Sequence, residues 1–212
     1  MNPNEKYLAA LSRNPLLTKM ATAGVLSSLN EIIASIVSGQ FQKSKFKVFG
    51  KERSVIHPSG SKIGLMVIYG ALLSTPVAHY YYGFLSKFFA GKQSPKNKLL
   101  QLAATLCTLS PLLSAVYVSW LSIINSYQYS GKGLRADLGR LLSVVKAGLK
   151  NNFWLVYKTS AVTLLVALTL AQNFVPPELW VVFTNFAYFV VGTIQNTKIK
   201  IRQRNEKLKK SE

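Results

Sequence analysis

Glu31 is the single ionisable residue in the run from 20 to 42. At the centre of a membrane helix a carboxylate costs about 2.5–3.5 kcal/mol on insertion scales, so it must face a bundle interior, a partner or water. Two chemistries are open to it. Protonated or hydrogen-bonded, it would lock neighbouring helices together; ionisable, it would stand on a polar pathway. Thr75, His79 and Tyr82 share one helical face with Ser86 in a second apolar run, and Ser114 occupies a third. With Glu31 they form a candidate pore or polar pathway, in which hydroxyls and an ionisable pair replace water around a solute. Ala21, Gly24, Ser28, Ser35 and Ser38 fall on the same stripe as Glu31. Small residues at that spacing let a second helix approach closely, which makes them a helix-packing stripe.

Other reactive constellations are missing from the sequence. No Ser-His-Asp set or paired catalytic Asp motif is present, so no enzymatic activity and no catalytic residue are expected. His57 is the other histidine, and no carboxylates cluster with either, so neither a metal nor a cofactor is expected. His79 reads first as a packing or interfacial residue among Tyr80, Tyr81 and Tyr82. Cys107 is the sole cysteine, so an intramolecular disulfide is impossible.

These residues must be positioned by long apolar elements. A membrane span needs about 20 predominantly apolar residues. Residues 63–86 and 99–131 contain no Lys, Arg, Asp or Glu, and uncharged runs of 19 residues cover 159–177 and 179–197. The pattern predicts an all-α, polytopic integral membrane bundle forming one domain over 1–212. It has four to five transmembrane helices, at 17–41, 63–88, 99–125, 153–174 and 178–196. Residues 7–19 read as an interfacial helix and turn. Pro76 interrupts the second span and should free a carbonyl near Leu72; Pro111 interrupts the third. Trp120, Tyr127 and Tyr129 read as interfacial anchors. The basic loop 43–62 contains Gly50, Pro58, Ser59 and Gly60, so it is expected to be irregular and exposed. Leu134, Leu138, Leu141, Leu142, Val145 and Leu149 make 132–150 a basic amphipathic surface helix. A basic tail follows at 198–212.

The net charge of +19 is read within that frame, as Lys and Arg flanking spans and attracting anionic lipid headgroups. Nucleic acid is not an expected partner, because the chain lacks a stacking platform and a Gly-rich phosphate loop. Five crossings put 19 of the 26 Lys and Arg on one side, whereas four divide them 12 to 14. The positive-inside rule favours the former, with the termini on opposite sides. The deciding stretch is Asn173-Phe174-Val175-Pro176-Pro177-Glu178. Its two prolines end a helix near Phe174 and allow another from Pro177.

The order of short motifs resembles the Mpv-seventeen / 22-kDa peroxisomal membrane protein family, small channel-forming proteins of organellar membranes. Asn14-Pro15, Thr22-Ala23-Gly24 and Asn30-Glu31 are similar to its opening motifs. Thr75-Pro76 with Tyr81-Tyr82, and Trp154-Leu155-Val156-Tyr157, resemble later ones. Asn173, Phe174, Val175, Pro176 and Pro177 resemble its NF-x-x-VP element. The chain is a divergent member by this reading: Glu31 replaces an Asp, and Thr105-Leu106 stand near the family's Asp-Gln pair.

The resemblance implies an organellar membrane protein that lets small solutes or metabolites cross. The competing expectation is a non-transporting scaffold or tether that recruits partners through its basic loops and tail. The lipid bilayer is the first expected partner; a homo-oligomer and the peroxisomal membrane import machinery are further ones. Met1-Asn2-Pro3-Asn4-Glu5-Lys6 shows neither a signal-peptide nor a presequence pattern. With the resemblance, this points to the peroxisomal membrane, multi-pass, with the mitochondrial inner membrane as the alternative.

Overall fold

The computed structural model describes residues 3–48, 51–58, 60–89, 95–127, 133–174 and 180–209. After α1 (Pro3–Arg13), Pro15 opens α2 (Pro15–Val37), a position where proline's missing N–H costs nothing. α2 is capped at Ser38, and Gly39 after it has a φ of 66°, the left-handed conformation that glycine adopts without strain. The chain then enters an antiparallel hairpin, β1 (Phe41–Val48) and β2 (Lys51–Pro58), registered from Phe41 opposite Pro58 to Val48 opposite Lys51. This corrects the irregular loop expected over 43–62.

Two proline-containing columns follow, and they share one design. In the first, α3 (Gly60–Ile68) passes through a π-helical segment, Tyr69–Ser74, into α4 (Thr75–Phe88). In the second, α5 (Pro95–Ala104) passes through Thr105–Leu109 into α6 (Ser110–Ser126). Each wide turn immediately precedes the residue pair carrying Pro76 or Pro111. A π turn inserts a residue into the ladder at the place where proline lacks a donor. The backbone N–H of Thr75 bonds the Gly70 carbonyl, and its hydroxyl donates to the same oxygen at 2.7 Å. The Thr75 hydroxyl thus adds a second bond to the paired Gly70 carbonyl rather than meeting the carbonyl expected to be freed near Leu72.

The surface helix and the fourth apolar run form one helix, α7 (Leu134–Phe174), instead of two elements. Likewise the last apolar run and the basic tail are joined in α8 (Trp180–Leu208). Asn173 and Phe174 close α7; Val175, Pro176 and Pro177 lie outside the described residues. Among the described residues, Pro15–Val37, Gly60–Leu85 and Leu99–Ser126 are long and apolar enough to cross a membrane.

Contacts give the columns alternating directions. The Lys62 ammonium donates to Asn125 Oδ1 and the Trp120 indole to the Leu65 carbonyl, so α3 runs against α6. The Tyr157 hydroxyl bonds the Leu106 carbonyl, and Gly148 abuts Ser122, so α7 runs against α6. Gln195 meets Val156 while Arg202 meets Asn151, so α8 runs against α7. The start of α2 and the end of α8 therefore lie at opposite ends of the bundle. One end gathers the hairpin, the start of α7 and the end of α8. The central core is Met66, Tyr69, Tyr117, Val118, Leu121, Val156 and Ile199, with Trp120 packed against it.

Candidate functional site

Glu31 and Lys200 are both fully buried and form an ion pair of 2.6 Å. Lys200 also donates to the Ser35 hydroxyl at 2.7 Å, and Ser35 in turn donates to Glu31 at 3.3 Å. The other carboxylate oxygen accepts from the Asn196 amide at 3.0 Å, and Asn196 also bonds Asn30 Oδ1 at 2.8 Å. Both oxygens of the carboxylate are thus satisfied inside the protein, the condition under which a buried charge is tolerable. Two turns later Arg204 donates to the Ser38 carbonyl at 3.1 Å, and Gln40 reaches the Lys200 carbonyl at 3.3 Å. Arg204 caps the C-terminal end of α2, where a cation complements the helix dipole.

The seam has a regular basis. Gly192, Asn196, Lys200 and Arg204 recur every fourth residue of α8, which places them on one face. Gly192 lies close to Asn30, Asn196 bonds Asn30 and Glu31, Lys200 reaches Glu31 and Ser35, and Arg204 meets Ser38, so the contacts advance along α2. Lys200 was assigned to the tail by the sequence reading, and the seam crosses that boundary. The four-residue spacing was the available signal.

Adjoining this layer is a cavity of about 460 Å³ between the columns. Thr75, His79, Tyr82 and Ser114 line it, so four of the five pathway candidates converge. Glu31 does not line it; its neighbour Asn30 does, and the ion pair lies behind that floor. Ser114 is buried, Thr75 and His79 are half-buried, and Tyr82 is exposed. The His79 ring meets Tyr80 edge-on. Thr105, which stands near the position of the family's Asp-Gln pair, also lines the cavity. Asn30, Tyr117 and Gln195 complete the deep end without having been predicted for it.

The packing stripe on α2 divides. Gly24, Ser35 and Ser38 are buried, whereas Ala21 is exposed and Ser28 returns its hydroxyl to the Val25 carbonyl. Gly24 rests against Val67 and Ala71, and Ser27, not Ser28, meets Gly70. The approach to α3 is therefore rotated toward Ala23 and Ser27. Among the described residues no group of His, Cys, Asp and Glu gathers into a metal cluster.

Residues 138–196 match the model of the Mpv17 / PMP22 family. The chain is 36% identical over 204 residues to the Woronin body membrane protein wscA of Aspergillus fumigatus, covering 96% of this chain and 79% of the relative. The chain belongs to the Mpv17 / PMP22 family. It is 30% identical over 190 residues to the Woronin sorting complex protein of Neurospora crassa, covering 90% of this chain and 54% of that one. The peroxisomal membrane protein PMP22 of Arabidopsis thaliana is 28% identical over 120 residues, with 57% and 55% covered. The chain thus spans about half the length of these last two relatives. No solved structure matches it. Family membership and the apolar helices make it a multi-pass protein of the peroxisomal membrane. The family match ends at Asn196, so its last residue bonds Glu31 while Lys200 and Arg204 lie beyond it.

Proposed function

We propose that this Mpv17 / PMP22 family member is a membrane organiser of the Woronin body, sorting that compartment through partners at its basic end. The observation that carries this reading is the 36% identity to a Woronin body membrane protein over 96% of the chain. The geometry favours it over an open pore. Glu31, Ser35, Asn196 and Lys200 are each 0% exposed, and this layer lies directly behind the cavity floor. The hairpin, the start of α7 and the end of α8 bring three basic segments to one end, a surface suited to acidic partners or anionic headgroups. In a filamentous fungus lacking its own Woronin body membrane protein, the tagged full chain should restore Woronin body sorting. Correct delivery to the peroxisomal membrane without that recovery would overturn the proposal.

A second reading, passage of small solutes, is supported by the cavity that gathers Thr75, His79, Tyr82 and Ser114. It requires the Glu31–Lys200 layer to open. Purified protein in planar bilayers should then show discrete conductance that changes in Glu31→Gln. Silence of folded protein across voltages and solutes would refute it.

A further inference from the structure

Much of the polar lining of the cavity is already engaged within the protein. Thr75 and Thr105 return their hydroxyls to the carbonyls of Gly70 and Gln101, and Tyr117 donates to the Gly192 carbonyl. Gln195 donates to the Val156 carbonyl, and Asn30 accepts from Asn196. Most of the exposed lining is hydrocarbon, including Leu26, Met66, Leu113 and Leu164, with the hydroxyls of Ser74, Ser110, Ser114 and Ser160 set among it.

The charge on the lining is one-sided. Lys19 lines the cavity, is half-buried, and has no acidic partner among the described residues. Among the described residues no carboxylate lines the cavity, and His79 is the other basic group there. Asn30 at the floor is eleven positions along α2 from Lys19, about 16 Å at the rise of an α-helix. Tyr82 and Tyr188 line the cavity and yet are 47% and 38% exposed, so it reaches the outer surface of the helices. On a membrane protein that surface faces lipid. An elongated apolar pocket with a cation at one end and an opening toward lipid matches one ligand chemistry.

We propose that the cavity binds a single-chain anionic amphiphile of the fatty-carboxylate class. Its tail lies along Leu26, Leu113 and Leu164, and its head is paired with Lys19. The carboxylate gains a charge-assisted hydrogen bond that an alcohol of the same length lacks.

The test uses the full chain in nanodiscs of phosphatidylcholine, with cis-parinaric acid as fluorescent probe. Oleate should displace the probe, oleyl alcohol should compete about tenfold less well, and acetate should not compete. Lys19→Gln should weaken oleate about tenfold and leave oleyl alcohol unchanged. Ala23→Phe, which puts a ring into the cavity, should weaken both. Equal competition by oleate and oleyl alcohol, or unchanged oleate binding in Lys19→Gln, would overturn the proposal. Displacement by phosphatidylglycerol in the discs as effective as by oleate would also overturn it, assigning Lys19 to a bilayer headgroup.

Discussion

Helices α2 and α8 are pressed together over one half of their length and flank a cavity over the other. From Asn30 to Ser38, α2 meets α8 through paired side chains, with an ion pair of 2.6 Å at its centre. From Lys19 to Ser27 the facing space is the cavity. Both halves of α2 are similarly apolar by composition, so hydrophobicity does not distinguish them. Between helices in lipid, apolar contact carries little net hydrophobic drive, and packing fit and polar pairs decide association. Only the closed half pairs its buried charges, with Lys200 on Glu31 and the Asn196 amide shared between Glu31 and Asn30.

Removing one partner of the ion pair should produce the largest change. Lys200→Met leaves Glu31 buried without its cation and should lower stability by about 3–5 kcal/mol. Thermal unfolding in detergent measures this. The double variant Glu31→Met/Lys200→Met should recover most of the loss; an equal loss in the double variant would show that the charge pair is not what closes this half.

A smaller effect is expected where backbones approach closely. A methyl at Gly70 would collide with the Ser27 hydroxyl and the Ala23 carbonyl, and one at Gly148 with the Ser122 hydroxyl. Gly70→Ala and Gly148→Ala should each cost about 1–3 kcal/mol in the same assay. A methyl at Gly64, in α3, would meet nothing within 4 Å, so Gly64→Ala is the control and should be neutral or slightly stabilising. The smallest effect belongs to Ala21, the exposed member of the α2 stripe. Ala21→Leu should stay within about 0.5 kcal/mol of the parent. A large loss there would restore the packing role that the stripe assigned to it.

The helical columns were legible because long uncharged runs have few alternatives. The convergence of Thr75, His79, Tyr82 and Ser114 was legible for a related reason: a shared helical face, together with a proline that disturbs it, marks an interior surface. The hairpin was not. Its lysines suggested a solvated loop, although Lys43, Lys45 and Lys47 alternate with Gln42, Ser44, Phe46 and Val48 in the two-residue period of a strand. The joins within α7 and α8 were missed because a change from apolar to basic composition was read as a boundary. Helical hydrogen bonding continues through such a change unless a proline, a glycine or a competing cap interrupts it.

By itself the sequence determined that this chain is a helical membrane bundle, that Glu31 must face a bundle interior, a partner or water, and that its charge is concentrated in a few flanking segments. These follow from composition and local periodicity. The partner itself was decided by tertiary structure. Lys200 is 169 positions away from Glu31, and only the parallel alignment of α2 and α8 brings the two together. The same alignment closes one half of the bundle and leaves a cavity in the other, because burial of a charge depends on three-dimensional pairing and not on the residues beside it in the chain.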